Sequence, residues 1–172
     1  MRQGLPTTLL TVHESVDLPL GTYLAMPPLP SDLIAAAALS IATSDSRPID
    51  YDLGDRPTRS LLQFLAPSPH LLICGAGPDA RPVARAARAL GWRISVVDHR
   101  PGYAMTTHFP GSEVLWADPN SLCSVIDVSS CHAAVVMSHH LASDAAYLRE
   151  LARADAPMYV GLLGPAVSRP SP

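Results

Sequence analysis

The chain of 172 residues contains no lysine, and its positive charge is carried by 12 scattered arginines against 15 acidic residues. With a formal charge of -3 and no basic stripe to follow a nucleic-acid backbone, nucleic acid is not an expected partner. Cysteine is scarce. Cys74, Cys123 and Cys131 are odd in number and show no CxxC spacing, which argues against a disulfide framework and a structural zinc site, so the three read as reduced thiols. No apolar run approaches the ~20 residues of a membrane span. The opening "MRQGLPTTLLTVHESV" has too short an apolar run, interrupted by His13 and Glu14, for a secretory signal. The expectation is a soluble, cytoplasmic protein without membrane association. A serine-hydrolase elbow, a Walker loop and a paired acidic catalytic motif are also missing.

What is present suits one real core and a small second lobe: 48% of residues are hydrophobic and 16% charged. Residues 7–26, "TTLLTVHESVDLPLGTYLAM", contain two β-rich runs around a Pro19/Gly21 break, a long-looped hairpin. "PPLPSDLIAAAALSIAT" follows, with Ser31 or Asp32 as N-cap of a mostly buried, alanine-rich helix. "RPIDYDL" reads as one more strand, and "GDRPTRSLLQFLAPSP" as a connector with a short amphipathic turn. The composition shifts near Pro67 and Pro69, which divides the chain into a small N-terminal α+β lobe with its connector, residues 1–66, and a second domain, residues 67–172.

From His70 onward strands alternate with helices. "HLLIC" is a continuous apolar strand, "DARPVARAARALG" a helix with Asp79 at its cap and Gly91 closing it, and "RISVVD" a second strand. "EVLWA", "AAVVMS" and "MYVGLLG" supply three more strands, and "SDAAYLRELARAD" a second helix. Continuous rather than alternating apolar strands imply burial on both faces, so the fold class is α/β: a Rossmann-like open parallel sheet with helices on both faces. The tail "GPAVSRPSP" is expected to fray.

Gly75, Gly77 and Ala80 form G-x-G-x-x-A between a strand and a helix. The first glycine allows a sharp turn, the second lets backbone approach a phosphate, and the small third residue lets helix and strand lie close. Freed N–H groups and the helix N-terminus would favour an anion. Asp98 ends the next strand, 21 residues after Gly77, where an acid would accept hydrogen bonds from a ribose 2′-hydroxyl. Glycines can also serve turn geometry alone. Asp79 would repel a phosphate, and Pro78 and Pro82 remove two donors, so a ligand here need not be ordinary NAD. At the end of "AAVVMS" stand Ser138, His139, His140, Ser143 and Asp144, polar groups at the carboxyl edge where an open sheet places its crevice. The histidines suit proton transfer or phosphate contact; equally, Ser143 or Asp144 could cap the next helix beside a solvated loop. No third ligand has metal-site spacing. Gly161 and Gly164 could admit a ligand or simply turn the chain. Tyr159 and Trp116 read as core aromatics, and Cys74 as an inert buried thiol.

The segments "LLICGAGPDARPVARAARALGWRISVVDHRPGYA", "FPGSEV", "AAVVMSHHLASDAAYLREL" and "YVGLLGP", in that order from about His70 to Pro165, resemble the Rossmann domain of the XdhC/CoxI family, accessory factors for molybdenum hydroxylases such as xanthine dehydrogenase. Residues 7–53 are similar to that family's opening hairpin, helix and strand. "PPLPSD" lacks the glycine and cysteine of the family's Gly-Cys-Val-Glu-like element, so the chain looks like a shortened, divergent member. The resemblance implies a non-catalytic maturation factor that binds molybdenum cofactor (molybdopterin), or a related phosphate-bearing nucleotide, and hands it to the hydroxylase. By that resemblance the cofactor contacts are Gly75, Gly77, Pro78, Asp79, Asp98, His139 and Gly161, and the residues of the turn and the two loops add Ala76, Ala80, His99, Ser138 and His140. Two alternatives stand beside it: an NAD(P)-dependent oxidoreductase with His139 or His140 as general acid and His99 and Arg100 offsetting Asp98 toward a 2′-phosphate, or a ligand-free scaffold. A homodimer is expected, two-fold dimers being the commonest oligomers.

Overall fold

The computed structural model describes residues 6–14, 21–23, 31–52, 57–154, 157 and 159–164, and the chain divides into two units, Met1–Pro67 and Ser68–Pro172. In the first, β1 (Thr7–Glu14) pairs antiparallel with β2 (Gly21–Tyr23), Thr11 opposite Thr22, as a hairpin whose connection lies outside the described residues. Helix α1 (Ser31–Thr43), β3 (Arg47–Asp52) and β4 (Pro57–Leu65) follow, and the sheet order is β2-β1-β4-β3.

Two expectations are corrected here. The supposed connector is β4, which pairs with both β1 and β3. Its inward positions Thr58, Ser60 and Leu62 are buried while Arg59 and Gln63 are exposed. The period of two is real, but small polar residues occupy two of its buried positions and disguise it. Helix α1 is not mostly buried. It turns the stripe Leu33, Ala36, Ala37 and Ser40 inward, toward Leu10, Ile49 and Leu62, and leaves Ile34 and Leu39 about half exposed. Ser31 and Asp32 lie within its first turn.

The second unit consists of β5 (His70–Cys74), α2 (Ala80–Ala89), β6 (Arg93–Asp98), β7 (Glu113–Trp116), α3 (Leu122–Val125), β8 (Ala133–Val136), α4 (Leu141–Arg153) and β9 (Tyr159–Leu162). All strand pairs are parallel, in the order β7-β6-β5-β8-β9. The alternation of β5 splits its residues between two cores. Leu71 and Ile73 pack with Ile94, Val96, Phe109 and the Ala80/Ala84/Ala87 face of α2; Leu72 and Cys74 pack with Val97, Leu122, Val136, Tyr147 and Leu151 under α3 and α4. A strand enclosed on both sides must be apolar throughout, which is why "HLLIC" shows no alternation. Gly91, in the left-handed region at φ 79°, closes α2, its N–H reaching the carbonyl of Arg88 at 2.9 Å.

Trp116 and Tyr159 are not core aromatics: they are 68% and 62% exposed. They lie on β7 and β9, the two edge strands of the sheet, each with a neighbouring strand on one side only. The tail at 165–172 lies outside the described residues.

At the amino-terminal edge a polar chain joins three strands, with His70 and Ser95 buried and Arg93 and Glu113 exposed at its ends. His70 Nε2 is 2.9 Å from Ser95 Oγ, which donates to Glu113 Oε2 at 2.6 Å, while His70 Nδ1 accepts from Arg93 Nη2 at 2.7 Å. Burial first, and then the Arg93 charge, hold the His70 pKa below its ordinary value, in keeping with a neutral ring fastening β5 to its neighbours.

Candidate functional site

Strands β6 and β7 follow β5 to one side of the sheet, and β8 and β9 lie on the other. The order reverses between β5 and β8, and a crevice opens at the carboxyl end of such a pair. The glycine turn leaves β5 there and the Ser138–His140 loop leaves β8.

The two glycines of the turn do different work. Gly75 has φ 115°, and a Cβ on it would stand 2.6 Å from Ser138 N and 2.7 Å from the Met137 carbonyl. The absence of a side chain lets β5 and β8 meet backbone to backbone. A Cβ on Gly77 would meet only the Asp79 carboxylate, at 2.7 Å. Gly77 is the position that keeps space at the crevice.

Most of the turn's donors are already engaged. Gly75 N–H donates to Val97 O at 2.8 Å, Ala76 N–H to Asp98 Oδ2 at 2.7 Å and Ala80 N–H to Gly77 O at 3.1 Å. Pro78 has no N–H. This leaves the amides of Gly77 and Asp79 without a partner among the described residues, and across the crevice that of His139.

Asp98, the expected ribose acceptor, is engaged by the protein's own donors. It is fully buried, and its oxygens accept four hydrogen bonds: Ala76 N–H at 2.7 Å, Arg100 N–H at 2.8 Å, Arg100 Nε at 3.0 Å and Arg100 Nη2 at 2.8 Å. A carboxylate has about four lone-pair positions, so none is left for a hydroxyl. Burial by itself would raise the Asp98 pKa, but the Arg100 side chain and the two amides outweigh it and hold it below the ordinary value. The guanidinium in turn lies 4.0 Å above the Tyr103 ring. Asp98 therefore ties the glycine turn to the segment after β6, and Arg100, two residues on, is the partner that sequence reasoning missed.

Asp79 occupies the N-cap position of α2 but makes no side-chain cap bond. It reaches across to pair with His139 Nε2, joining the two loops. His139, with φ 58° in the left-handed region, is where the chain turns back toward the glycine loop. Both partners keep substantial exposure, 49% for His139 and 39% for Asp79, so the bridge faces solvent. The rest of that loop is structural. Ser138 Oγ and N–H both donate to Asp144 Oδ1, at 2.5 and 3.1 Å, and His140, rather than Ser143 or Asp144, caps α4, its Nδ1 accepting from Ser143 N–H at 3.4 Å.

Gly75–Ala80, Asp98, His99 and Ser138–His140 thus come together at the carboxyl ends of neighbouring strands. Gly161 does not join them: it lies within edge strand β9, opposite Val135, with the Tyr159 ring 3.0–3.3 Å from where its Cβ would be. Two buried atoms near this end lack a hydrogen bond among the described residues, Tyr147 Oη and His99 Nδ1. Burial is the main cause of the raised pKa of the Tyr147 hydroxyl, with the Asp98 carboxylate acting in the same direction and Arg100 against it. Cys74 is fully buried, and burial pushes its thiol far above the ordinary range, which makes it inert. Among the described residues no group of three metal-ligating side chains converges, and no helix is long and apolar enough to cross a membrane.

Three similarities bear on this fold. The XdhC Rossmann domain family matches residues 71–170. A probable xanthine dehydrogenase subunit from Bacillus subtilis (strain 168) is 34% identical over 113 residues, covering 65% of this chain and 34% of that protein, so the chain spans about a third of the length of this curated relative. The crystal structure of a xanthine dehydrogenase from Bacillus halodurans resembles the chain in fold with a TM-score of 0.55 at 18% identity, over 96% of this chain and 77% of that one. With the parallel sheet, its glycine turn and a family match over more than half of its length, the chain belongs to the XdhC family, and its second unit carries the XdhC Rossmann domain.

Proposed function

We propose that this protein is an XdhC-type accessory factor that binds molybdenum cofactor, or a related pterin or nucleotide, by its phosphate, and assists maturation of a molybdenum hydroxylase such as xanthine dehydrogenase. The observation that carries this reading is the family match over residues 71–170 on a sheet whose crevice joins the glycine turn and the His139 loop. The groups present fit a single terminal phosphate: the unclaimed amides of Gly77, Asp79 and His139, the N-terminus of α2, and the His139 ring, which can offset Asp79 when protonated. They do not fit an adenosine ribose at Asp98, whose acceptor positions are filled, and this favours a binding factor over a dinucleotide-dependent oxidoreductase. The cofactor's redox chemistry belongs to the hydroxylase; this chain's residues would bind and orient. The proposed setting is the cytoplasm and the proposed working form a homodimer, for which edge strand β9 leaves Tyr159 and Leu162 exposed, with Leu163 exposed just after it.

Calorimetry of purified protein with molybdopterin tests the reading, with Gly77→Asp as the control that adds a negative charge beside Asp79. Saturable binding to the parent protein that Gly77→Asp abolishes is the expected result. An absence of affinity well above micromolar concentration, in protein that is folded by circular dichroism, refutes it.

A further inference from the structure

Away from the crevice, the outer face of α2 meets the segment between β6 and β7 in a small pocket of about 20 Å³, lined chiefly by Arg81, Ala84, Arg85, Arg88, His108 and Phe109. Phe109, buried in the core, and Ala84 form an apolar floor. Three arginines at positions i, i+4 and i+7 of one helix converge on it, with a histidine opposite. Among the described residues no carboxylate lines the pocket, and no ion pair neutralises Arg81, Arg85 or Arg88. In a chain that is acidic overall, this is an uncompensated local excess of positive charge.

Two further features concern the residues that line it. Arg81 Nε and His108 Nδ1 are both shielded from solvent and lack a hydrogen bond among the described residues. Buried polar atoms are normally paired, so the lining residues lack an acceptor for Arg81 Nε, and for His108 Nδ1 in the tautomer that carries its proton there. Arg88 is already held in place: its Nη1 donates to the Pro110 carbonyl, and its guanidinium occupies the space a side chain on Gly111 would need. Gly111, at φ 74°, permits that arrangement.

We infer that this pocket is a second anion site, which takes a phosphate group, either inorganic phosphate or the head of a phosphomonoester. Its size decides between ligand classes. About 20 Å³ is room for one or two water-sized groups, which suits oxygens of a tetrahedral anion at its mouth better than a fully enclosed base or pterin ring. Guanidinium groups match that anion through paired N–H donors. The site is independent of the crevice reading, because Asp79, His139 and the glycine amides take no part in it.

Titration of the isotopically labelled full chain with inorganic phosphate and, separately, with methyl phosphate, at constant ionic strength up to about 10 mM, tests this by amide NMR shifts. The expected result is saturable shifts confined to residues 81–88 and 106–112, weakened about tenfold or more in Arg85→Gln and unchanged in His139→Gln. Arg85 is exposed, so its substitution leaves the fold intact, and Arg81→Gln gives an independent second variant. The tighter of the two arms identifies the source of the phosphate. Absence of shifts in both arms overturns the inference. So do shifts confined to 75–80 and 138–140, or shifts indifferent to both arginine variants.

Discussion

Asp98→Asn separates a structural carboxylate from a ligand-binding one. The side chain is fully buried and accepts four hydrogen bonds, three of them from Arg100 and one from the amide of Ala76. Asparagine keeps one oxygen and replaces the other with an NH2 group, so whichever way it is placed, two donors face a donor. Hydrogen bonds to a charged group contribute about 1.5–3 kcal/mol each, and breaking a buried pair by removing one partner costs about 3–5 kcal/mol. The expected loss is about 4 kcal/mol, a large part of a typical domain's stability, with a fall in Tm on the order of 10 °C. Urea unfolding followed by tryptophan fluorescence reads it selectively, since both tryptophans, Trp92 and Trp116, lie in the second unit. The sign of the pH dependence follows from the lowered pKa. The unfolded chain binds the proton more readily, so the contribution is complete above the ordinary value of 3.8 and is lost as pH falls through the folded-state pKa. The gap between parent and variant therefore stays constant near neutrality and closes only in strong acid. A loss below about 1 kcal/mol, or unchanged stability with a loss of dinucleotide affinity, refutes the reasoning and restores Asp98 as a ribose acceptor.

Other predictions address neighbouring groups. Gly75→Ala forces a Cβ against Met137 and Ser138 backbone at positive φ and should destabilise by about 3 kcal/mol or prevent folding. Gly77→Ala meets only a movable Asp79 side chain and should melt within a few degrees of the parent; equal melting temperatures for both variants contradict the assignment of the two glycines. Because the His139–Asp79 bridge is largely exposed, His139→Gln should change unfolding free energy by less than about 1 kcal/mol, and a larger loss in urea titration means the bridge is structural. In the native protein a thiol reagent should modify the exposed Cys123 and leave the buried Cys74 and Cys131 untouched, the latter's pKa pushed up to about 11 chiefly by burial; mass spectrometry of the labelled peptides checks this, and native labelling of Cys131 contradicts it. His70 is held below its ordinary pKa of 6.5, so its contribution is present above that value and lost as pH falls below it. His70→Gln should remove that part of the dependence in urea unfolding between about pH 7.5 and 5.

Where apolar pattern alone decides an element, the residues were legible. "HLLIC", "RISVVD" after its exposed Arg93, and "AAVVMS" are buried on both faces, and burial on both faces leaves runs in which apolar residues do not alternate with exposed polar ones. The pattern failed where burial falls on small polar residues, as at Thr58 and Ser60 in β4, and where an apolar residue ends at a sheet edge, as Trp116 and Tyr159 do. At the site, the spacing of Gly75, Gly77 and Ala80 announced the turn but not the division of labour within it. Gly75 is required by backbone 62 and 63 residues away, at Met137 and Ser138.

The residues by themselves determined a β-turn-α-β unit, its parallel sheet and the family to which it belongs, because local periodicity and glycine geometry are properties of neighbouring positions. Only the tertiary structure decided what the charged groups do. A carboxylate's role depends on which donors reach it first. Folding brings the amide of Ala76 to Asp98 from the turn after the neighbouring strand, and His139 to Asp79 across the gap between two strands that are not consecutive in the chain. Those meetings depend on strand order and loop direction, and no local pattern encodes either.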